Sequence, residues 1–414
     1  MRADWDVIVI GAGLAGLAAG ATATRAGAAA LVLEAHVPGG RARVTTRDGF
    51  VFNRGVHALY QAGAGRDVLR RLGIEPQGSS PPLGRYQALA GGGLHLLPTG
   101  PDSLRRTTLL GREDKEAVAA LLAGLPRLEP RRLAGATAAQ WIAGAGLGPA
   151  GAAAVSALVR LTTYASDLHT FAADAAVAQL RCAAHGVLYL DGGWAQLTGR
   201  LADLCQLRAG VKVTGVASAA GRIEVATSSG PLTARSAIIA AGRPSAARRL
   251  LAADPGWGDL GPELTAACLD AGVRRVPDPG YVLGLDAPVY ATVQSPPARQ
   301  APPGHAVVAA IRYGATEASA DRAVLEAHLA RAGLREEDVA TSRFLARMVV
   351  AGAAPIAARG GLAGRPAVDA TGLPGVYLAG DWVGPAGLLA DAALASGHDA
   401  AQRAVQALPV TTAT

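Results

Sequence analysis

Lysine is almost missing from this chain. Among 414 residues it occurs only at Lys115 and Lys212, so the formal net charge of +7 rests on arginine. The arginines are scattered, and no basic stripe interleaved with aromatics is present. That pattern disfavours nucleic acid as a partner, because displacing phosphate counterions takes a contiguous cationic face. The densest helical patch, Arg66, Arg70 and Arg71, reads as a solvated helix face, with an anionic membrane surface as the other reading. Cysteine is scarce too. Cys182, Cys205 and Cys268 are isolated, odd in number and without CxxC spacing, which implies neither a disulfide framework nor a zinc site and fits a reducing cytoplasm. No pair of histidines has ligand spacing, so no metal is expected.

Long apolar runs are also lacking. The stretch Met348 to Ala358 is short of the roughly 20 residues that cross a bilayer, and Gly352 and Pro355 break it. Met1 to Asp4 leave no room for a charged and apolar leader before the first strand. The expectation is a cytoplasmic protein with no integral membrane segment, peripheral association and oligomeric state being left open. The 53 glycines follow no period, which excludes collagen and solenoid repeats.

What is present starts with length. A single core stops growing at roughly 250 to 300 residues, so 414 residues call for two domains. Trp5 to Ile10 is rich in β-branched residues and suits a parallel strand buried on both faces. Leu14 to Ala26 reads as an Ala- and Leu-rich helix stopped by Gly27, and Ala29 to Glu34 as a second strand. Between the first strand and the helix lies Gly11-Ala12-Gly13-Leu14-Ala15-Gly16. In a GxGxxG so placed, the first glycine permits the tight turn, the second lets a pyrophosphate approach the backbone, and the third allows close helix packing. The free amides of the helix N-terminus, Leu14 and Ala15 among them, then face the phosphates. Glu34, followed by Ala35, ends the second strand where a carboxylate can accept from ribose hydroxyls.

Gly39-Gly40-Arg41 follows, and with it the sequence resembles the flavin amine oxidase, phytoene desaturase and protoporphyrinogen oxidase superfamily. The resemblance implies that Arg41 adds to the pyrophosphate contacts and that Gly49 to His57 leads toward the flavin ring. It continues at the other end: Gly375 to Trp382, a strand running into Gly380-Asp381, resembles the second FAD motif, with Asp381 on the ribityl chain. Asp391 to Gly397 resembles the last helix, whose N-terminal turn, including Ala392, Ala393 and Leu394, points at the pyrimidine side of the flavin. There the positive dipole end would stabilise reduced flavin. Gly192 to Leu197 and Val211 to Val213 resemble the return to the adenine side, with Val213 offering backbone groups. Ala240 to Pro244 and Arg347 to Pro355 are looser matches. FAD is therefore implied over NAD. The superfamily's covalent flavins use a cysteine near the last helix, where this chain has Ala and Gly, so the FAD is expected to be non-covalent.

The implied fold is α/β: a Rossmann-like FAD-binding domain of the two-dinucleotide-binding-fold type, interrupted by an α+β substrate domain. Residues 1–80, 192–254 and 343–410 are assigned to the first, 81–191 and 255–342 to the second. The inserted segments read as Ala-rich helices from Asp114 to Arg181, a strand at Ala306 to Ile311 and a helix from Asp321 to Ala332.

No residue is assigned to catalysis. His57, after the glycine turn, and Trp382, as a wall of the pocket, are the candidates. His169, His185 and Asp191 are read as structural, and Tyr164, Tyr189, Tyr281, Tyr290 and Tyr313 as mostly packing residues. Many amine oxidases of the superfamily hold a lysine near the flavin; neither Lys115 nor Lys212 lies in a segment matching that lysine. The leading expectation is an FAD-dependent desaturase, dehydrogenase or oxidase taking hydride from a mostly apolar small molecule. The alternatives are an amine or amino-acid oxidase, a flavin-dependent isomerase or mutase, and a binding protein of the same fold without flavin.

Overall fold

The computed structural model describes residues 3–219, 221–251 and 253–408. Strand β1 (Trp5–Ile10), helix α1 (Leu14–Arg25) and strand β2 (Ala30–Glu34) form the expected βαβ unit. Val7 to Val9 and Leu31 to Val32 are fully buried, as the apolar runs require of a sheet covered on both faces. β1 pairs in parallel with β2 on one side and with Leu232–Ile239 on the other. Gln206–Ala209 extends the sheet beyond β2. The strand Leu232–Ile239 is shared along its length: its first part pairs antiparallel with Arg222–Thr227, and its last residues pair in parallel with Val376–Leu378. The C-terminal strand is thereby set two places from β1, so the turns after both open on the same edge.

Helix α1 is pressed between the sheet and the last helix, Leu389–Gln406. A Cβ on Gly16 would lie 1.8 Å from the Gly11 carbonyl oxygen, and one on Gly397 would lie 2.2 Å from that of Ala15. Small residues are required at both positions because backbone meets backbone there.

The second sheet is seven-stranded and mostly antiparallel, with Leu264–Val273 and Ala306–Tyr313 near its centre. Its outer face carries helix Ala318–Arg331 through Leu325 and Leu329. Its edge strand, Val339–Ala351, pairs with Leu264–Val273 along almost its whole length, so the boundary drawn at residue 343 falls inside a strand of this sheet. Beside the second sheet lies a helical layer with its own apolar core, including Pro149–Thr163 and Ala173–Ala183 and reaching Leu264 and Ala351 of that sheet. No helix among the described residues is long and apolar enough to cross a membrane.

Candidate active site

A cavity of about 2540 Å³ runs from the β1–α1 turn to the helical layer. That exceeds the roughly 300 to 1,000 Å³ of a single small-ligand pocket and leaves room for a dinucleotide and a substrate together. Gly11, Gly13, Leu14, Ala15, Glu34, Ala35, Gly40, Arg41, Val213, Gly380, Asp381 and Ala393 all line it. Gly16, Ala392 and Leu394 do not; they are the packing residues behind that wall.

Gly11 takes φ of +104°, and a Cβ there would meet the Ala240 oxygen at 2.5 Å. A Cβ on Gly13 would meet nothing within 4 Å, so the backbone before α1 is open to a close-approaching group. No side chain caps this helix, which leaves the first-turn amides facing that space. Glu34 closes the turn: Oε2 accepts from the Ala12 amide at 2.8 Å and Oε1 from the His36 amide at 2.9 Å. An ionised carboxylate has about four acceptor positions, so two remain for hydroxyl donors.

The two ends of the chain meet at an ion pair. Arg41 Nη1 donates to Asp381 Oδ2 at 2.6 Å and to the Val350 carbonyl at 2.8 Å. Gly352 N donates to the same Oδ2 at 3.2 Å, while the buried Oδ1 has no partner among the described residues. An orphaned buried acceptor costs about 1–3 kcal/mol unless a ligand donor satisfies it. The turn is held from behind. Ser396 Oγ accepts from Gly380 N at 2.9 Å, and Arg365 donates to the carbonyls of Asp381 at 3.0 Å and Gly387 at 2.7 Å. Burial, only partly offset by Asp381 and Asp174, brings the Arg365 guanidinium down to about 10. Sequence reasoning missed both residues. A lone serine among the alanines of the last helix was a signal for Ser396, whereas nothing local marked Arg365.

Asp391, in the first turn of the last helix, is buried and lines the cavity. Its Oδ1 accepts from Gly65 N at 2.9 Å and so caps helix Ala64–Arg71, whose own N-cap, Gly63, has no side chain. Burial pushes its carboxyl up to about 6.

His57 lines the cavity. Its Nδ1 lies 2.9 Å from the Gly55 carbonyl, which can only accept, so Nδ1 carries the proton and Nε2 the free lone pair. Burial holds the imidazole below its ordinary range, favouring this neutral form. The turn beneath it is fixed from three directions. Arg343, paired with buried Asp270, donates to the Asn53 carbonyl; Trp194 N donates to Asn53 Oδ1 at 2.9 Å; Tyr164 donates to the Val56 carbonyl at 2.5 Å. The Trp194 ring packs 5.0 Å from His57.

Two expectations are corrected. Trp382 does not line the cavity: it is 1% exposed and packs against Trp257 at 5.1 Å. The tyrosines are not mainly packing residues. Tyr164, Tyr189, Tyr290 and Tyr313 line the cavity, joined by Tyr60 and Tyr86; only Tyr281 of those singled out stays behind the wall. Tyr290 stands opposite Ile311, and Tyr313 is two residues on, so one sheet face presents all three. Burial raises the phenols of Tyr60, Tyr86, Tyr164, Tyr290 and Tyr313, which therefore stay neutral. Tyr164 and Leu389, both on the cavity wall, take φ of 64° and 53°, left-handed values that cost a bulky side chain roughly 1–2 kcal/mol each.

His169 is exposed and Asp191 is bound to Arg299 at 2.8 Å, both away from the cavity; His185 lies at its far end. Both lysines line the cavity, Lys212 beside Val213 and Lys115 in the helical layer. Among the described residues no cluster of three His, Cys, Asp or Glu is placed to hold a metal.

Residues 9–72 match the model of an NAD(P)-binding Rossmann-like domain. No curated protein sequence matches the chain. Among solved structures, a putrescine oxidase variant is 17% identical, covering 97% of this chain and 99% of that one with a TM-score of 0.76. Cyclohexylamine oxidase from Brevibacterium oxydans IH-35A is 18% identical over 97% and 99%, with a TM-score of 0.74. A protein from Exiguobacterium sp. 255-15, provisionally assigned as a protoporphyrinogen oxidase, is 20% identical over 99% and 100%, with a TM-score of 0.72. The chain thus shares its α/β fold with these solved structures over nearly its whole length, and its residues 9–72 match the Rossmann-like model.

Proposed function

We propose that the protein is an FAD-dependent oxidoreductase that holds its flavin non-covalently and takes hydride from a mostly apolar small molecule. The observation that carries this reading is the meeting of Arg41 and Asp381 at 2.6 Å, with Asp381 Oδ1 left free to accept from a ribityl hydroxyl. Glu34 would hold the adenosine ribose, the amides of Leu14 and Ala15 with Arg41 the pyrophosphate, and the last helix the ring end. No cysteine lines the cavity among the described residues, which supports non-covalent binding. FAD, once bound, supplies the two-electron acceptor. The chain's own residues bind, orient and keep the site dry: the neutral phenols and Leu158, Leu161, Ile311 and Phe344 wall the chamber, and His57 Nε2 offers a proton acceptor at its edge. The test is to add candidate substrates anaerobically and follow bleaching of the flavin band.

A second reading, an amine oxidase, is favoured by the six tyrosines, whose rings can face an ammonium group. Peroxide release with amines would support it.

Glu34→Ala is expected to weaken FAD binding by about 1–3 kcal/mol, the cost of leaving buried hydrogen-bonding groups unmatched. Flavin-fluorescence titration measures this, and an unchanged affinity would count against the ribose assignment. His57→Ala is expected to lower turnover by about 10²-fold if Nε2 takes the substrate's proton, while leaving FAD bound. Loss of folding with loss of flavin would instead make His57 a structural partner of Trp194.

A further inference from the structure

Resting on that reading, we propose that Asp391 contacts the ring end of the flavin through Oδ2 and sets its reduction potential: protonated, the carboxyl donates a hydrogen bond to the reduced cofactor; ionised, it repels the negative charge that reduction brings. Four acids line the cavity: Glu34, Glu116, Asp381 and Asp391. Glu34 accepts from two backbone amides, Glu116 is held by Arg112 at 3.0 Å and Asp381 by Arg41 at 2.6 Å. Asp391 makes no ion pair among the described residues. Its Oδ1 accepts from Gly65 N, and Oδ2, which accepts from no described group and is not sealed off, is the atom left to the cavity. An asparagine would cap Gly65 without burying a charge, so the cap alone does not account for a carboxyl here.

The last helix places this carboxyl along the path of a dinucleotide. Gly397 is pressed against the Ala15 carbonyl at the glycine turn, and Asp391 lies roughly 9 Å nearer the N-terminus along the axis, within reach of a ring carried on a ribityl chain. Leu389 and Ala390, in the same first turn, also line the cavity, and no side chain caps their amides. Those amides favour negative charge, so the protonation of Asp391 decides whether a further donor or a like charge stands beside them. Burial pushes the Asp391 carboxyl up to about 6, and Asp67 adds to this. Burial also keeps the Tyr60 phenol neutral and pushes the Cys182 thiol up to about 12. Asp67 is itself bound to Arg70 at 2.6 Å, Arg66 to Glu75 at 2.9 Å, and Arg181 to the Leu128 carbonyl at 2.9 Å. Helix α1 holds only Arg25, at its far end, and His398 and Asp399 lie two turns away on the last helix. Between pH 5 and 8 the Asp391 carboxyl therefore titrates without a cation beside it.

Spectroelectrochemical titration of the FAD-loaded chain with mediator dyes, at pH 5 and at pH 8, tests this without a substrate. Wild type and Asp391→Asn are expected to share one flavin potential at pH 5. At pH 8 wild type should lie lower, its reduced form disfavoured about tenfold, which is about 30 mV for a two-electron couple. Asp391→Ala, which has no donor, should lie below Asp391→Asn by an amount that does not change with pH. Equal potentials of wild type and Asp391→Asn at pH 8, or a difference between them that is the same at both pH values, would overturn the proposal. A chain that binds no FAD would sink the proposed function and this inference with it; a flavin-loaded chain with a pH-independent difference would sink this inference alone.

Discussion

Asp381→Ala is expected to lower FAD affinity by roughly 30- to 100-fold and to cost the fold about 2 kcal/mol. The Asp381 side chain is 2% exposed and answers to Arg41 and the Gly352 amide, 340 and 29 residues away in sequence. Removing one partner of a fully buried pair costs about 3–5 kcal/mol, because the other charge is left without compensation. The Arg41 side chain is 38% exposed, so water screens part of that loss and the smaller figure applies. Asp381→Asn keeps an acceptor at Oδ1 and should fall between wild type and Ala in flavin-fluorescence titrations. If Asp381→Ala bound FAD with wild-type affinity, the ribityl assignment would be wrong.

The second large effect is one of pH. Burial raises the Asp391 carboxyl from 3.8 to about 6 in the folded chain. Between pH about 4 and 6 the folded state then binds the proton more tightly than the unfolded state, so stability from this group falls as pH rises through that window and is flat above it. A shift of about two units corresponds to about 3 kcal/mol at most. Asp391→Asn keeps an oxygen to accept from Gly65 N without burying a charge. The variant should therefore match wild type near pH 4 and exceed it by about 2–3 kcal/mol at pH 7.5, measured as the difference between two denaturation curves at each pH. Asp391→Ala loses the cap as well and should lie about 1 kcal/mol below Asp391→Asn. A pH-independent difference between Asn and Asp would show that the carboxyl is not held in this way.

The legible part of the fold was the local part. β1, the glycine turn, α1 and β2 are contiguous, and their periodicities and glycines specify one another within 30 residues. The C-terminal strand and last helix were legible for the same reason, as motifs of fixed spacing. Convergence was not legible. Six tyrosines from separate elements reach one chamber because the antiparallel sheet brings Tyr290 and Tyr313 onto one face and the helix Pro149–Thr163 carries Tyr164 across it. A low aromatic fraction says nothing about where aromatics gather. Trp382 misled because a neighbour in sequence need not line the same cavity: in this turn the indole packs against Trp257. The edge strand Val339–Ala351 was split at 343 because its exposed, mixed-polarity first half lacks the apolar run by which a buried strand is read. Arg365 and Asp391 act through backbone groups far away in sequence, which no local pattern encodes.

Glu34, Arg41 and Asp381 are proposed to hold one FAD between them. Titrating the purified chain with FAD, and recording the visible spectrum of the protein after removal of free ligand, tests it most directly. One FAD is expected to be retained per chain, with affinity reduced in Glu34→Ala and in Asp381→Ala. A chain that is folded by circular dichroism yet retains no flavin at saturating FAD would contradict it.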